Sequence, residues 1–198
     1  MPSETVEKVI AKIRANRERF ETFCRSLTDE ELSRPVPGST WTVKDFIIHL
    51  DTLDPELVRW FEATAAGTPD VHVRNPDGAR FDIDDWNERV VSERRDWPLD
   101  RILAEASGNR EALIESLERL GDEQIEKTYH FSGDNKRQPA DVSLKLFLQG
   151  WSRHDPIHVA DMVKALPERA EDPDIKQWLD DSIVKWYQRA MAGPAIRG

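Results

Sequence analysis

The sequence holds a single cysteine, Cys24, in 198 residues. One thiol closes no intrachain disulfide, so the fold must rest on packing, and a reducing cytoplasm is the expected setting. Long apolar runs are also missing: no stretch approaches the roughly 18 residues a membrane helix needs. The opening residues, MPSETVEKVIAK, are polar and amphipathic and carry no apolar signal-peptide core. Positive charge is short, with 28 Lys and Arg against 38 Asp and Glu, for a net charge of −10. An acidic surface repels phosphate backbones and anionic lipids, and no basic stripe overrides it, so neither nucleic acid nor a membrane is an expected partner. A serine nucleophile elbow, a phosphate loop and a Cys-x-x-Cys pair are absent too. So are internal repeats and low-complexity segments.

What is present is enough to bury a core. Hydrophobic residues make up 38% of the chain and charged residues 33%, which fits one domain over 1–198. Apolar residues recur at helical spacing in four long stretches. The first carries Val6, Ile10, Ile13, Phe20, Phe23 and Leu27 and stops at LTDEELSRPVPG, where Thr28 and Glu31 have capping-box spacing. The second, WTVKDFIIHLDTLDPELVRWFEATAAG, has Thr42 as N-cap, Trp41 placed to staple onto Phe46, and Gly67 as its stop. The third has Ile102, Ala106, Leu113, Leu117 and Leu120, with Asp100 as candidate cap. The fourth, ADVSLKLFLQGWSRHDPIHVADMVKAL, has Leu144, Phe147, Trp151 and Met162, with Lys145, Gln149, Ser152 and Lys164 on its polar face. FDIDDWNERVVSERRDW and the C-terminal DPDIKQWLDDSIVKWYQRAM read as further helices. Two turn-rich connections, GTPDVHVRNPDGAR and YHFSGDNKRQPAD, leave room for a short hairpin. Four long amphipathic helices with a long crossover make an all-α four-helix bundle.

The fourth stretch also carries two histidines. His154 and His158 continue its apolar stripe, four residues apart, where leucines would be expected. His49 lies at the edge of the second stripe, one turn from Phe46 and Leu53. Burying unpaired polar groups costs about 1–3 kcal/mol each, and a divalent metal offsets that cost by taking imidazole nitrogens as ligands. Three protein ligands leave a coordination position open, as in catalytic zinc sites. Pro156 interrupts the pair. Either the helix kinks there, or a new helix starts with Asp155 as cap and Pro156 at its first position, which leaves His154 outside. His72 and His130 fall in loops, off any stripe, and read as surface residues.

Three segments then resemble a known family. GSTWTVKDFIIHL is similar to the second-helix signature of the DinB/YfiT-like superfamily, DDWNERVV to its D-x-x-N segment, and RHDPIHVADM to its fourth-helix His-x-x-x-His motif. The resemblance is one of order and spacing over about residues 5–166, which sets 167–198 apart as a C-terminal helical extension: a lid, a packing helix or a dimer contact. It implies an up-down-down-up bundle with a short helix in the crossover between helices two and three. It implies a divalent metal, nickel or zinc foremost and iron or manganese as alternatives, held by His49, His154 and His158. Relatives include mycothiol-dependent maleylpyruvate isomerase and bacillithiol transferases, so the resemblance also implies a low-molecular-weight thiol, a small-molecule substrate and a homodimer. The sequence departs from the family at Pro156, and at ADM after His158, where many relatives have GQI.

The expected chemistry is thiol S-transfer or isomerisation at the metal, with hydrolysis equally allowed by the ligands alone. The alternative is a metal- or small-molecule-binding bundle without turnover, serving in stress or sequestration. No general base is identifiable, so no catalytic residue is assigned. Asp45, Asp51 and Asp155 are either partners for imidazole N–H groups or helix caps and surface acids. Asn87 and Arg153 are either substrate contacts or surface polar groups. Trp41 and Trp151 line either a pocket or the core, and Cys24 reads as an inert core thiol.

Overall fold

A computed structural model describes residues 3–67, 82–131 and 133–192, apart from the side chains of Asp51, Met191 and Ala192. α1 (Glu4–Arg25) starts at Ser3, whose hydroxyl accepts from the Val6 amide at 3.1 Å, with Glu4 and Glu7 in its first turn and Arg25 in its last, as the helix dipole favours. Its apolar stripe is buried as the spacing predicts. Between Ile13 and Phe20 the stripe skips a turn, and there Asn16 and Arg17 are buried instead. α2 (Asp29–Ser33) begins with the expected capping box between Thr28 and Glu31.

The second stretch forms two helices, α3 (Val43–Thr52) and α4 (Asp54–Ala65). Pro55 has no N–H to give to the Asp51 carbonyl, so the hydrogen-bond ladder fails at Leu53 and restarts. Thr42 and Asp45 cap each other reciprocally, Trp41 packs edge-on to Phe46 at 5.4 Å, and Gly67 closes α4 with a φ of +77° that favours glycine. α5 (Ile83–Ser92) is capped by Asp82. α6 (Leu99–Leu117) starts after Pro98 rather than at an Asp100 cap, and Asp100 instead pairs with Arg25 at 2.8 Å. After α7 (Asp122–Ile125) comes an antiparallel hairpin, β1 (Thr128–Phe131) with β2 (Ala140–Ser143), Thr128 opposite Ser143. β2 takes up the start of the stretch read as a fourth helix.

The rest of that stretch is α8 (Leu144–Trp151) and α9 (His154–Met162), followed by a 3-10 turn. α10 (Pro167–Ala170), α11 (Pro173–Leu179) and α12 (Ser182–Ala192) follow. Among the described residues no helix is long and apolar enough to cross a membrane. Among the described residues the fold is all-α with one small hairpin.

Among the described residues the core forms two apolar clusters. One contains Phe20, Leu50, Ile102, Val159 and Trp178, the other Ile13, Phe61, Leu113 and Leu148. α1 runs from the second cluster to the first, α3–α4 and α6 from the first to the second, and α8–α9 back again. Each helical run crosses the layer between them with a buried charged residue: Arg17, Asp54, Arg110 and Asp155.

Candidate metal centre

The three histidines of the bundle interior come together. His49 stands in the last turn of α3, His154 is the first residue of α9, and His158 lies one turn on. Their ligand atoms all lie within 4.8 Å of one another. Ring centroids are 5.6 Å apart for His49 and His154, 5.0 Å for His49 and His158, and 4.8 Å for His154 and His158.

Pro156 does not spoil the pair: a new helix does start here, but two residues earlier than a cap at Asp155 would place it. α8 ends at Trp151 and α9 restarts at His154 after Arg153, so His154 lies inside the helix with Pro156 at its third position. The first four N–H groups of a helix have no intrahelical acceptor, so a proline there removes nothing. The Ser152 carbonyl, which Pro156 cannot serve, accepts from Asn16 Nδ2 at 2.7 Å. Ser152 itself is buried rather than on the polar face.

The electrostatics favour neutral imidazoles at His49 and His154. Burial, then the neighbouring His158, pushes the His49 pKa down to about 3, with Asn87 of α5 opposing. Burial and the other two rings hold His154 well below its ordinary value. Neutral rings keep a lone pair for a metal. Nδ1 of both His49 and His154 is buried without a hydrogen-bond partner. His158 Nδ1 faces Asp161 Oδ2 at 3.3 Å. Burial alone would raise the Asp161 carboxyl, but hydrogen bonds from His158 and Lys164 bring it below the usual carboxylate range. Gln188 of α12 fixes the same carboxylate at 3.1 Å. Three clustered imidazoles, two of them with unpartnered buried nitrogens, are a donor set for a divalent cation of zinc or nickel type.

Aromatic rings wall the cluster. Trp151 stacks on His154 at 4.2 Å, Trp41 lies 5.1 Å from His49, and Phe46 and Tyr187 stand 5.7 and 6.4 Å from His158. Both tryptophans thus border the site. Asn87 touches His49, with its Oδ1 buried and unpartnered. Asp45 caps α3 and pairs with Arg95. Asp155 pairs with Arg17 and Arg110. Arg153 pairs with Asp181 at 3.1 Å, and His130 is exposed beside Asp141. Cys24 is fully buried, and burial raises its thiol pKa well above the usual value. His72 and the Asp51 side chain lie outside the described residues. Asp161 escaped the sequence reading.

An all-α bundle with three histidines gathered from two helices defines a class of candidate metalloproteins. A model of the mycothiol maleylpyruvate isomerase N-terminal domain family matches residues 13–142, so the chain belongs to that family, within the DinB/YfiT-like superfamily. That match includes His49 and stops short of His154 and His158. The crystal structure of the mycothiol-dependent maleylpyruvate isomerase superposes with a TM-score of 0.59 at 13% identity, covering 79% of this chain and 60% of that one. A crystal structure of a histidine-to-alanine mutant of that isomerase gives 0.58, again at 13% identity with 79% and 60% coverage. At this identity the likeness is one of fold, and the chain spans less than two thirds of those proteins' length. No curated protein matches.

Proposed function

We propose that the protein is a divalent-metal-dependent enzyme of the thiol S-transferase or isomerase type, with His49, His154 and His158 as the metal ligands. One observation carries this: three imidazoles from two helices, their donor atoms within 4.8 Å, two with buried and unpartnered nitrogens. Zinc or nickel suits such a donor set, with iron or manganese as alternatives. When bound, such a cation supplies Lewis acidity and favours the thiolate form of a coordinated thiol. The family and the mycothiol-dependent structures support a low-molecular-weight thiol as co-substrate and a small molecule as substrate. Asp161 orients His158, while Asn87, Trp41 and Trp151 shape the surroundings. The run directions of the helices support an up-down-down-up bundle. We also propose a single domain over 1–198, a cytoplasmic location and a homodimer, whose mass light scattering would read.

The test is elemental analysis of the purified, untagged protein beside His49→Ala, each incubated with zinc or nickel. About one equivalent in the wild type, as expected of a single three-ligand site, and its loss in the variant are expected. No uptake, or equal uptake by the variant, overturns the assignment. A metal-loaded protein that conjugates no thiol to any electrophile would favour the sequestration reading.

A further inference from the structure

Beneath the histidines lies a buried quartet of charges that the proposed chemistry does not use. Arg17 comes from α1 and Arg110 from α6, helices that contribute no histidine. Asp54 begins α4, and Asp155 follows His154 in α9. Their side chains are 8%, 2%, 0% and 1% exposed, in that order. Arg110 Nε donates to Asp54 Oδ2 at 2.6 Å, and Arg17 donates to Asp155 Oδ1 at 3.0 Å. Arg110 reaches the same Asp155 oxygen at 3.5 Å.

Both arginines also grip the other histidine-bearing helix. The Leu50 carbonyl accepts from Arg110 at 3.2 Å and from Arg17 at 3.4 Å. That carbonyl is among the last four of α3, which have no intrahelical donor, and the break at Leu53 leaves it free for a cation. The two guanidinium groups therefore hold the residue after His49 and the residue after His154 together. Asn16 adds a third point, on the Ser152 carbonyl.

A buried ion-pair cluster is poor evidence for stability, because desolvation offsets most of the attraction and apolar replacements of similar volume are often as stable. Its geometric effect is a different matter. We propose that Arg17 and Arg110, through Leu50 and Asp155, are positioning residues that set the separation of His49 from His154. This inference rests on the reading of the histidines as metal ligands.

The test compares the full-length wild type with a variant carrying Arg17→Met, Asp54→Leu, Arg110→Met and Asp155→Leu, and with Arg17→Lys and Arg110→Lys singly. Each is titrated with cobalt(II), recording its visible absorption spectrum, and with zinc against a chromophoric chelator. Urea unfolding reads the stability separately. The expected result is an apolar variant with a urea midpoint near that of the wild type, zinc binding weaker by about ten-fold or more, and an altered cobalt spectrum. Wild-type affinity and spectrum in that variant overturn the brace and leave the metal site standing. Should the apolar variant not fold, the lysine variants decide, since they keep the charge and lose the planar fork: a shifted cobalt spectrum supports the brace and an unchanged one overturns it. A wild type that takes up neither cobalt nor zinc overturns the metal reading, and the brace with it.

Discussion

His158 differs from its two partners in having a carboxylate on Nδ1. A metal-binding imidazole that shares its second nitrogen with an acid has its tautomer and ring angle fixed, and such outer partners are typically worth about 10–100-fold in affinity. Asp161→Asn keeps the shape and removes the charge. We expect it to retain the helical fold and bind zinc about 10–100-fold more weakly, read by competition with a chromophoric chelator. Equal affinity would reduce Asp161 to an anchor for Lys164 and Gln188. At this scale the sequence was informative where a residue broke a pattern. Three histidines stood on or beside apolar stripes, and the structure brings those three together. Asp161 broke no pattern, since an aspartate near a helix end is ordinary. Asn87 reaches His49 from a separate helix, so only the tertiary fold places it there.

The helices themselves were legible because burial on one side imposes a 3.6-residue period. Their interruptions were less so. Pro55 was passed over inside a single second stretch, and Pro156 was read as an interruption without deciding its form, because a proline is equally at home in a kink or in a restarted first turn; the structure has restarts at both. The hairpin was left open because its strands are only four residues each. Contacts between short elements far apart in sequence were invisible, as between α2, which the capping box had signalled, and α10. There Arg169 donates to both Glu31 oxygens, at 2.7 and 3.0 Å, and to the Ser26 carbonyl. The hydrogen bond from Arg169 brings the Glu31 carboxyl from 4.5 down to about 2. A carboxyl whose folded pKa is depressed contributes stability that is full above 4.5 and lost as pH falls through about 2. Glu31→Gln should therefore be less stable than the wild type by about 1 kcal/mol at pH 7, allowing for solvent around Arg169, with the gap closing toward pH 2. Urea midpoints across that range check it, and a gap independent of pH would mean that the cap at Thr28, not the ion pair, carries the effect.

Over the whole molecule, the polar layer between the two apolar clusters organises what the C-terminal helices do. The sequence left the segment after Leu166 as a lid, a packing helix or a dimer contact. In the structure Trp178 of α11 enters the first cluster and donates its indole N–H to Asn16 Oδ1 at 2.9 Å, while Asn16 holds the Ser152 carbonyl before α9. From α12, Val184 is buried, Tyr187 stands over His158, and Gln188 donates to the Ile157 carbonyl at 3.2 Å and to Asp161. Asp181, just before α12, holds Arg153 at the head of α9. The helix that carries two histidines is thus gripped from its outer side as well as from beneath. Ending the chain after Asp180 should remove one buried aliphatic side chain and these polar ties, at a cost of about 2–4 kcal/mol, with the helical circular dichroism of the remaining bundle retained. It should also weaken zinc binding, because Asp161 and Arg153 both lose a partner near the histidines. Urea unfolding and chelator competition on the shortened chain separate the two effects. Lower stability with unchanged zinc affinity would make α12 a packing helix alone, and a change in neither would detach it from the site.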